Sequence, residues 1–232
     1  MTQRNSGFSL VEIAVVLVII GLLLGGILKG QEMINSAKVR NLADLNSGVA
    51  AAYHGFIDRF RRVPGDWEAS QAASAIGQPI NGGGNNNGRL DNPVGDQYTE
   101  PNALWEQIAS AGFMEGAYSG DPAKPTTDSD QTPLNAFNHI VIMGRTSDFQ
   151  NAGEVPRLSL VLGRGIPVDI AQELDIKLDD GVPGAGGLRL AVDDGTGAVF
   201  EELGESDPLC HVEERFDVIG DSQDCNAVFL LQ

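Results

Sequence analysis

The sequence predicts an α+β fold, in which a long N-terminal helix packs on a C-terminal globular head that contains an antiparallel sheet. Hydrophobic residues recur at helical spacing up to residue 63, and Pro64 ends the pattern because proline disfavours the α conformation in the residue before it. All 11 Pro, Pro64 included, lie in residues 64–232, among short apolar segments bounded by turn residues. Residues 1–63 hold seven Lys and Arg against four Asp and Glu, a net charge of +3. Residues 64–232 carry a net charge of −20, which brings the whole chain to −17.

The acidity of residues 64–232, which we call the head, disfavours nucleic acid as a partner. Binding to a phosphate backbone requires clustered cations that neutralise phosphates and release counterions. The head holds only eight Lys and Arg against 28 Asp and Glu. No nucleic-acid partner is therefore expected.

Residues 8–28 are predicted to form a transmembrane helix. No charged or strongly polar side chain occurs from Ile13 to Leu28, and 21 helical residues span about 31 Å, close to the hydrocarbon thickness of about 30 Å. A removable secretory signal would end in a small-residue box, and Lys29 stands there instead. A lipoprotein signal would end in a cysteine, which this segment lacks. We expect the segment to be retained in the product.

Glu12 is the unusual residue of this segment. A carboxylate within a membrane helix costs up to about 3 kcal/mol and by default marks a function and a partner. No Lys or Arg lies within one helical turn of it. A cut between Gly7 and Phe8 would create an α-amino group four residues before Glu12, which would supply the cation.

The segment Gly7-Phe8-Ser9-Leu10-Val11-Glu12 resembles the cleavage and methylation motif of type IV prepilins and type II secretion pseudopilins, and the apolar helix follows it in register. The resemblance implies that prepilin peptidase cuts after Gly7 and N-methylates Phe8. It also implies that Glu12 contacts the N-terminal amine of a neighbouring subunit during filament assembly. An ordinary signal anchor that contains a glutamate is the alternative.

The same resemblance implies a pilin-like fold, a topology and a set of partners. Residues 1–7 would be a cytoplasmic leader peptide, residues 8–28 the inner-membrane helix, and the head would be periplasmic or extracellular. The partners would be prepilin peptidase, the inner membrane and other pilin-like subunits. The product would be a structural subunit of a type IV pilus-type filament, with a type II secretion pseudopilus as the alternative. A membrane-anchored head that binds calcium or a partner without polymerising is the alternative outside this class.

Residues 29–63 are predicted to continue the helix as an amphipathic stem that ends near Arg62. Apolar residues recur mostly every three or four positions, with polar residues between them. The stem should therefore have one narrow apolar face, suited to packing against a sheet on one side and against other helices on the other. That face comprises Ile34, Ala37, Leu42, Leu45, Val49, Ala52, Phe56, Phe60 and Val63.

The head is predicted to contain three short helices and four strands. The helices are placed at residues 67–76, 104–111 and 168–174, and the strands at residues 140–144, 158–162, 188–192 and 227–231. Because most strands follow the stem rather than alternate with helices, the sheet should be antiparallel. Segments 62–66, 104–107, 111–113 and 175–181 resemble those of a subgroup of large prepilin-type proteins, which implies a specialised subunit.

Three loops are candidates for calcium binding. The Gly83–Gly88 run lacks the carboxylates that an EF-hand loop needs at its start and end, so we expect a flexible turn. Asp179-Asp180 and Asp193-Asp194 each precede a glycine and offer the oxygen ligands that calcium prefers, and related pseudopilins have a calcium site in the head. Asp-Gly is equally a common hairpin signal, so no metal is assigned.

Cys210 and Cys225 are the only cysteines and have no C-x-x-C spacing that would indicate a metal site. If the head is exported, an oxidising compartment favours a disulfide between them, and the C-terminal disulfide loop of pilins is similar. Two unpaired thiols are the alternative. The sequence contains neither a G-x-S-x-G nor an H-E-x-x-H motif, and its three histidines are scattered, so no enzymatic activity is expected.

Overall fold

The computed structural model describes residues 10–94, 96–151, 155–192 and 206–231. The chain forms two compact units, residues 1–38 and residues 39–232. Helix α1 (Leu10–Phe60) belongs to both, and it runs without a break through its four N-terminal glycines. The predicted layout, a long N-terminal helix followed by an α+β head, is confirmed.

In the second unit, α1 supplies one wall of the hydrophobic core. Six of its residues are buried there: Val39, Leu42, Val49, Ala52, Tyr53 and Phe56. Of the residues of the predicted apolar face, Ile34 is 57% exposed and Ala37 is also exposed. The described part of the first unit, residues 10–38, consists of this helix alone.

α1 ends two residues before the predicted boundary. Arg61 adopts a positive φ of 55°, and its N–H still donates to the carbonyl of Ile57 at 2.8 Å. The last turn is held by aromatic packing, because the ring of Phe56 lies 6.1 Å from those of both Trp67 and Phe113. Offset and edge-to-face ring pairs of this kind add to the burial of apolar surface.

Three short helices follow, all at or near the predicted positions: α2 (Ala69–Ile76), α3 (Thr99–Ser110) and α4 (Val168–Leu178). The Glu68 carboxylate caps α2 by accepting from the N–H groups of Ser70 and Gln71. α3 begins five residues earlier than predicted, because Pro101 lies in its first turn, where proline needs no N–H donor. α4 extends four residues further than predicted.

The strands are β1 (Ile142–Thr146), β2 (Arg157–Val161), β3 (Leu188–Leu190), β4 (His211–Val212), β5 (Arg215–Phe216) and β6 (Ala227–Leu230). Four of them form the predicted antiparallel sheet in the order β1-β2-β6-β3. Leu160 of β2 pairs with Phe229 of β6, and Phe229 pairs with Leu188 of β3. The β4–β5 hairpin was not predicted, since a two-residue strand shows no periodicity.

The two faces of this sheet are buried in different clusters. Leu160, Leu188 and Phe229 belong to the main core with α1. Their sequence neighbours Val161 and Val228 belong to a second, smaller cluster on the other face. Successive side chains of a strand point to opposite faces, so a sheet buried on both sides requires consecutive apolar residues.

Cys210 and Cys225 form the predicted disulfide, and both residues are fully buried. Their Cα atoms lie 5.7 Å apart. The short 3-10 helix Pro208–Cys210 positions the first cysteine, while the second exchanges backbone hydrogen bonds with Ile166. The bond therefore closes the segment that carries the β4–β5 hairpin.

Candidate functional site: the apolar helix and the polar clusters of the head

The N-terminal part of α1 presents an apolar surface on every side. All residues from 10 to 29 are exposed, and the large hydrophobic residues among them range from 45% exposed at Ile20 to 90% at Leu10. By length and composition, α1 is able to cross a membrane once, and among the described helices it is the only one with that length and composition. A helix that is apolar all round needs lipid or other helices around it.

Four glycines in this part of α1 form two pairs with the same spacing. Gly21 and Gly25 are four residues apart, as are Gly26 and Gly30, and an added Cβ at any of them would meet nothing within 4 Å. Small residues at this spacing allow two helix backbones to approach closely in a membrane. The surface is suited to contacts between helices.

Glu12 lies in the first turn of α1 and is the only charged residue between positions 10 and 28. A carboxylate at this end of a helix is favoured by the helix dipole, by about 0.3 to 1 kcal/mol. That gain is smaller than the cost of placing the charge in hydrocarbon. Gly7 and Phe8 lie outside the described residues, so cleavage between them, methylation of Phe8 and its pairing with Glu12 stay predictions.

Residues 2–28 match the family described as the prokaryotic N-terminal methylation motif. The chain carries a prepilin-type signature. The match begins before Gly7 and ends with the apolar run at Leu28, so the prepilin-type signature covers the predicted cut, Glu12 and the whole predicted transmembrane segment. No curated protein and no solved structure matches the chain.

In the head, buried carboxylates hold the Gly83–Gly88 segment, for which we expected a flexible turn. Asp66 is 3% exposed and accepts from the N–H groups of Asn87 and Gly88, each at 2.8 Å. Both oxygens of its carboxylate thus accept hydrogen bonds from the backbone. The segment is a loop, but it is anchored by hydrogen bonds across 21 and 22 positions.

Glu100 of α3 anchors the same loop from the other side. It accepts from the N–H of Asn85 at 3.3 Å and from that of Asp91 at 2.6 Å. A Cβ on Gly84 would clash with a Glu100 oxygen and would lie 2.7 Å from the Cα of Asp66, so only glycine permits this approach. Burial raises the pKa of Glu100 above its usual range, opposed by the hydrogen bond from Asp91 and reinforced by the Asp91 charge.

Of the four predicted calcium ligands, the structure describes Asp179 and Asp180, which follow α4; Asp193 and Asp194 lie outside the described residues. The two described carboxylates lie beside that of Asp175, in the last turn of α4. Sequence reasoning did not include Asp175 among the candidate residues. Its spacing of four and five residues before the Asp-Asp pair, across a helix end, was the available signal.

Asp175 is an unusual carboxylate in the head. The residue is fully buried, and neither carboxylate oxygen makes a hydrogen bond of normal geometry. Burial raises the pKa of Asp175 to about 6; the N–H of Gly181 lies close enough to oppose this shift, and the charges of Asp180 and Asp179 add to it. Burial of a charged carboxylate without a hydrogen-bond partner costs free energy, and either protonation or a nearby cation would reduce that cost.

Proposed function

We propose that the protein is a structural subunit of a type IV pilus-type filament, specialised rather than major. Prepilin peptidase cuts the precursor between Gly7 and Phe8 and methylates the new N-terminus. The mature subunit stays in the inner membrane through residues 8–28 with its head in the periplasm, and then joins a filament through α1.

One observation carries the proposal. The methylation motif at residues 2–28 leads directly into a helix whose residues are exposed and apolar from Ile13 to Leu28. Burial of apolar surface contributes about 25 cal/mol per Å² removed from water, so such a helix is stable only in lipid or among similar helices. A filament core made of these helices replaces the lipid that surrounds the free subunit.

Glu12 would favour the transfer of the helix from lipid into a filament core. The cut after Gly7 places a positive amine at Phe8, and a carboxylate in a poorly solvated core gains most from a cation at the same depth. Pairing of Glu12 with the Phe8 amine of a neighbouring subunit would neutralise both charges inside the filament.

The test is mass spectrometry of the N-terminus combined with shearing of the cells. We expect the mature chain to begin with N-methylated Phe8, and we expect it in the sheared filament fraction. Gly7→Leu should leave the precursor uncut, whereas the matched substitution Asn5→Leu should be processed. An intact Met1, or a cut at another position, would contradict the proposal.

The cell fraction that contains the processed chain, together with the effect of deleting the gene, distinguishes the filament subunit from the two alternatives. Cleaved protein that stays in membranes and never enters a sheared fraction would support an anchored head that does not polymerise. Loss of protein secretion on deletion of the gene, with surface pili intact, would support a pseudopilus.

A further inference from the structure

A groove of about 1100 Å³ lies between the β4–β5 hairpin on one side and α4 with the loop that follows it on the other. Its apolar lining comprises Val182, Val212, Phe216 and Ile219. Phe216 is buried, whereas Val212 is exposed and Ile219 is 93% exposed. Exposed aliphatic side chains beside a concave surface are typical of a contact with another molecule.

Acidic residues line the same groove. Glu213, Glu214 and Asp217 contribute to its wall alongside the cation Arg215. Both glutamates are exposed, and among the described residues neither carboxylate takes part in an ion pair. The excess of negative charge repels anionic lipid and nucleic acid. The groove therefore suits a partner surface that is cationic and partly apolar.

Contacts with the rest of the head hold the hairpin in one conformation. Glu213 adopts a positive φ of 53°, which is uncommon for a residue other than glycine. Its carbonyl accepts from the side-chain nitrogen of Gln150, a residue only 9% exposed, at 2.8 Å. The N–H of Asp217 donates to the carbonyl of the disulfide-bonded Cys210 at 3.1 Å. A surface that is already ordered loses less conformational entropy on binding than a mobile one.

A cationic surface of matching character lies at the end of α1. Arg59, Arg61 and Arg62, which we call the arginine cluster, are all exposed. Arg61 pairs with Asp58 at 3.6 Å, but both side chains are at least 80% exposed, and such surface pairs contribute little. The Arg59 guanidinium lies 5.0 Å from the centre of the Phe60 ring, so cations and an aromatic side chain adjoin. None of the three arginines lines the groove, so the two surfaces are separate.

We propose that the groove binds the arginine cluster of a second copy of this chain, an inference that rests on the filament function proposed above. Each head carries a net charge of −20, so neighbouring heads repel one another unless cations lie between them. Guanidinium groups form paired hydrogen bonds with carboxylates, and their hydrocarbon stems pack on apolar surface. Because the two contacting surfaces differ, the contact is heterologous and can propagate into an open helical array, as a filament requires.

The test measures self-association of the purified full-length chain in detergent by sedimentation velocity. The cluster variant carries Arg61→Glu and Arg62→Glu, and the groove variant carries Glu213→Arg and Glu214→Arg. Each variant places like charges on both surfaces and should associate at least about tenfold more weakly than the wild type. An equimolar mixture of the two variants should recover association, because each reversed surface then meets a surface of opposite charge.

The control carries Glu115→Arg and Asp128→Arg, which change the net charge as much as the groove variant does, at exposed positions outside the groove. It should associate at least as strongly as the wild type. Wild-type association in either charge-reversed variant, no recovery in the mixture, or a wild type that stays monomeric would overturn the inference. A chain that recovers association in the mixture but never enters filaments would contradict the proposed function and support this contact.

Discussion

The Gln107 side chain accepts a hydrogen bond from the N–H of Gly65 at 2.9 Å, across 42 positions of the chain. Its amide nitrogen donates to the carbonyls of Trp67 at 2.8 Å and Gly82 at 3.1 Å. Gln107 is fully buried, so one side chain of α3 satisfies three backbone groups from two separate segments. This residue joins the turn after α1 to the loop that follows α2.

Gln107→Leu should therefore lower the free energy of unfolding by about 3 kcal/mol. The leucine has a similar size but leaves buried backbone groups without partners, at about 1 to 3 kcal/mol each. Denaturant unfolding of the full chain in detergent measures the loss. Gln71→Leu makes the same change at an exposed position of α2 and should have little effect. Equal stability of the two variants would show that the buried contacts are unimportant.

Replacement of both Cys210 and Cys225 by alanine should lower the free energy of unfolding by about 3 kcal/mol. The bond closes a loop with a sequence separation of 15. Closing a loop of that size lowers the conformational entropy of the unfolded chain, which destabilises the unfolded state by about 3 kcal/mol. Thermal unfolding under non-oxidising and oxidising conditions checks it. A reductant should destabilise the wild type and leave the double variant unchanged; a double variant as stable as the oxidised wild type would contradict the prediction.

Glu12→Ala should give a cleaved, membrane-inserted subunit whose amount in sheared filaments falls at least about tenfold. A loss of about 1.4 kcal/mol in an association step corresponds to a factor of ten in the association constant. Removing one partner of an ion pair in a poorly solvated core costs more free energy than that. Immunoblots of sheared and membrane fractions measure the ratio. The control is Glu32→Ala, on the same helix, where the carboxylate is exposed and pairs with Lys29 at 2.7 Å. Normal incorporation of Glu12→Ala would exclude the pairing.

Asp224 should make stability dependent on pH in the acidic range. Hydrogen bonds from the Arg164 guanidinium, foremost among several causes, lower the pKa of Asp224, and the N–H of Gly165 donates to it at 2.9 Å. Because the folded pKa lies below the unfolded one, the stabilisation is fully present above the unfolded value and is lost as pH falls through the folded value.

The measurement for this ion pair is the free energy of unfolding as a function of pH for the wild type and Asp224→Asn. The wild type should be the more stable at neutral pH, and the difference should shrink below about pH 4. Asp128→Asn serves as the control because its carboxylate is exposed. A constant difference across this range would show that Asp224 does not titrate as described.

Much of the fold follows from local patterns. Gly and Pro mark the ends of most elements, and the alternation of apolar residues located the four strands of the sheet within two residues. The start of α3 was placed five residues too late, and Pro101 lies in its first turn, where proline is compatible with a helix. The two-residue strands β4 and β5 gave no signal, because two residues are too few to show a periodicity.

The sequence by itself determined the prepilin-type signature, the membrane-spanning length of the apolar run, the amphipathic stem and the separation of charge between stem and head. These properties depend on spacing and composition along a continuous segment. Tertiary structure decided that Gln107 supports Gly65, that Asp66 and Glu100 hold the Gly83–Gly88 segment, and that Asp175 lies buried beside Asp179 and Asp180. Such relations depend on which distant segments pack together, and the periodicity of one segment carries no information about the position of another.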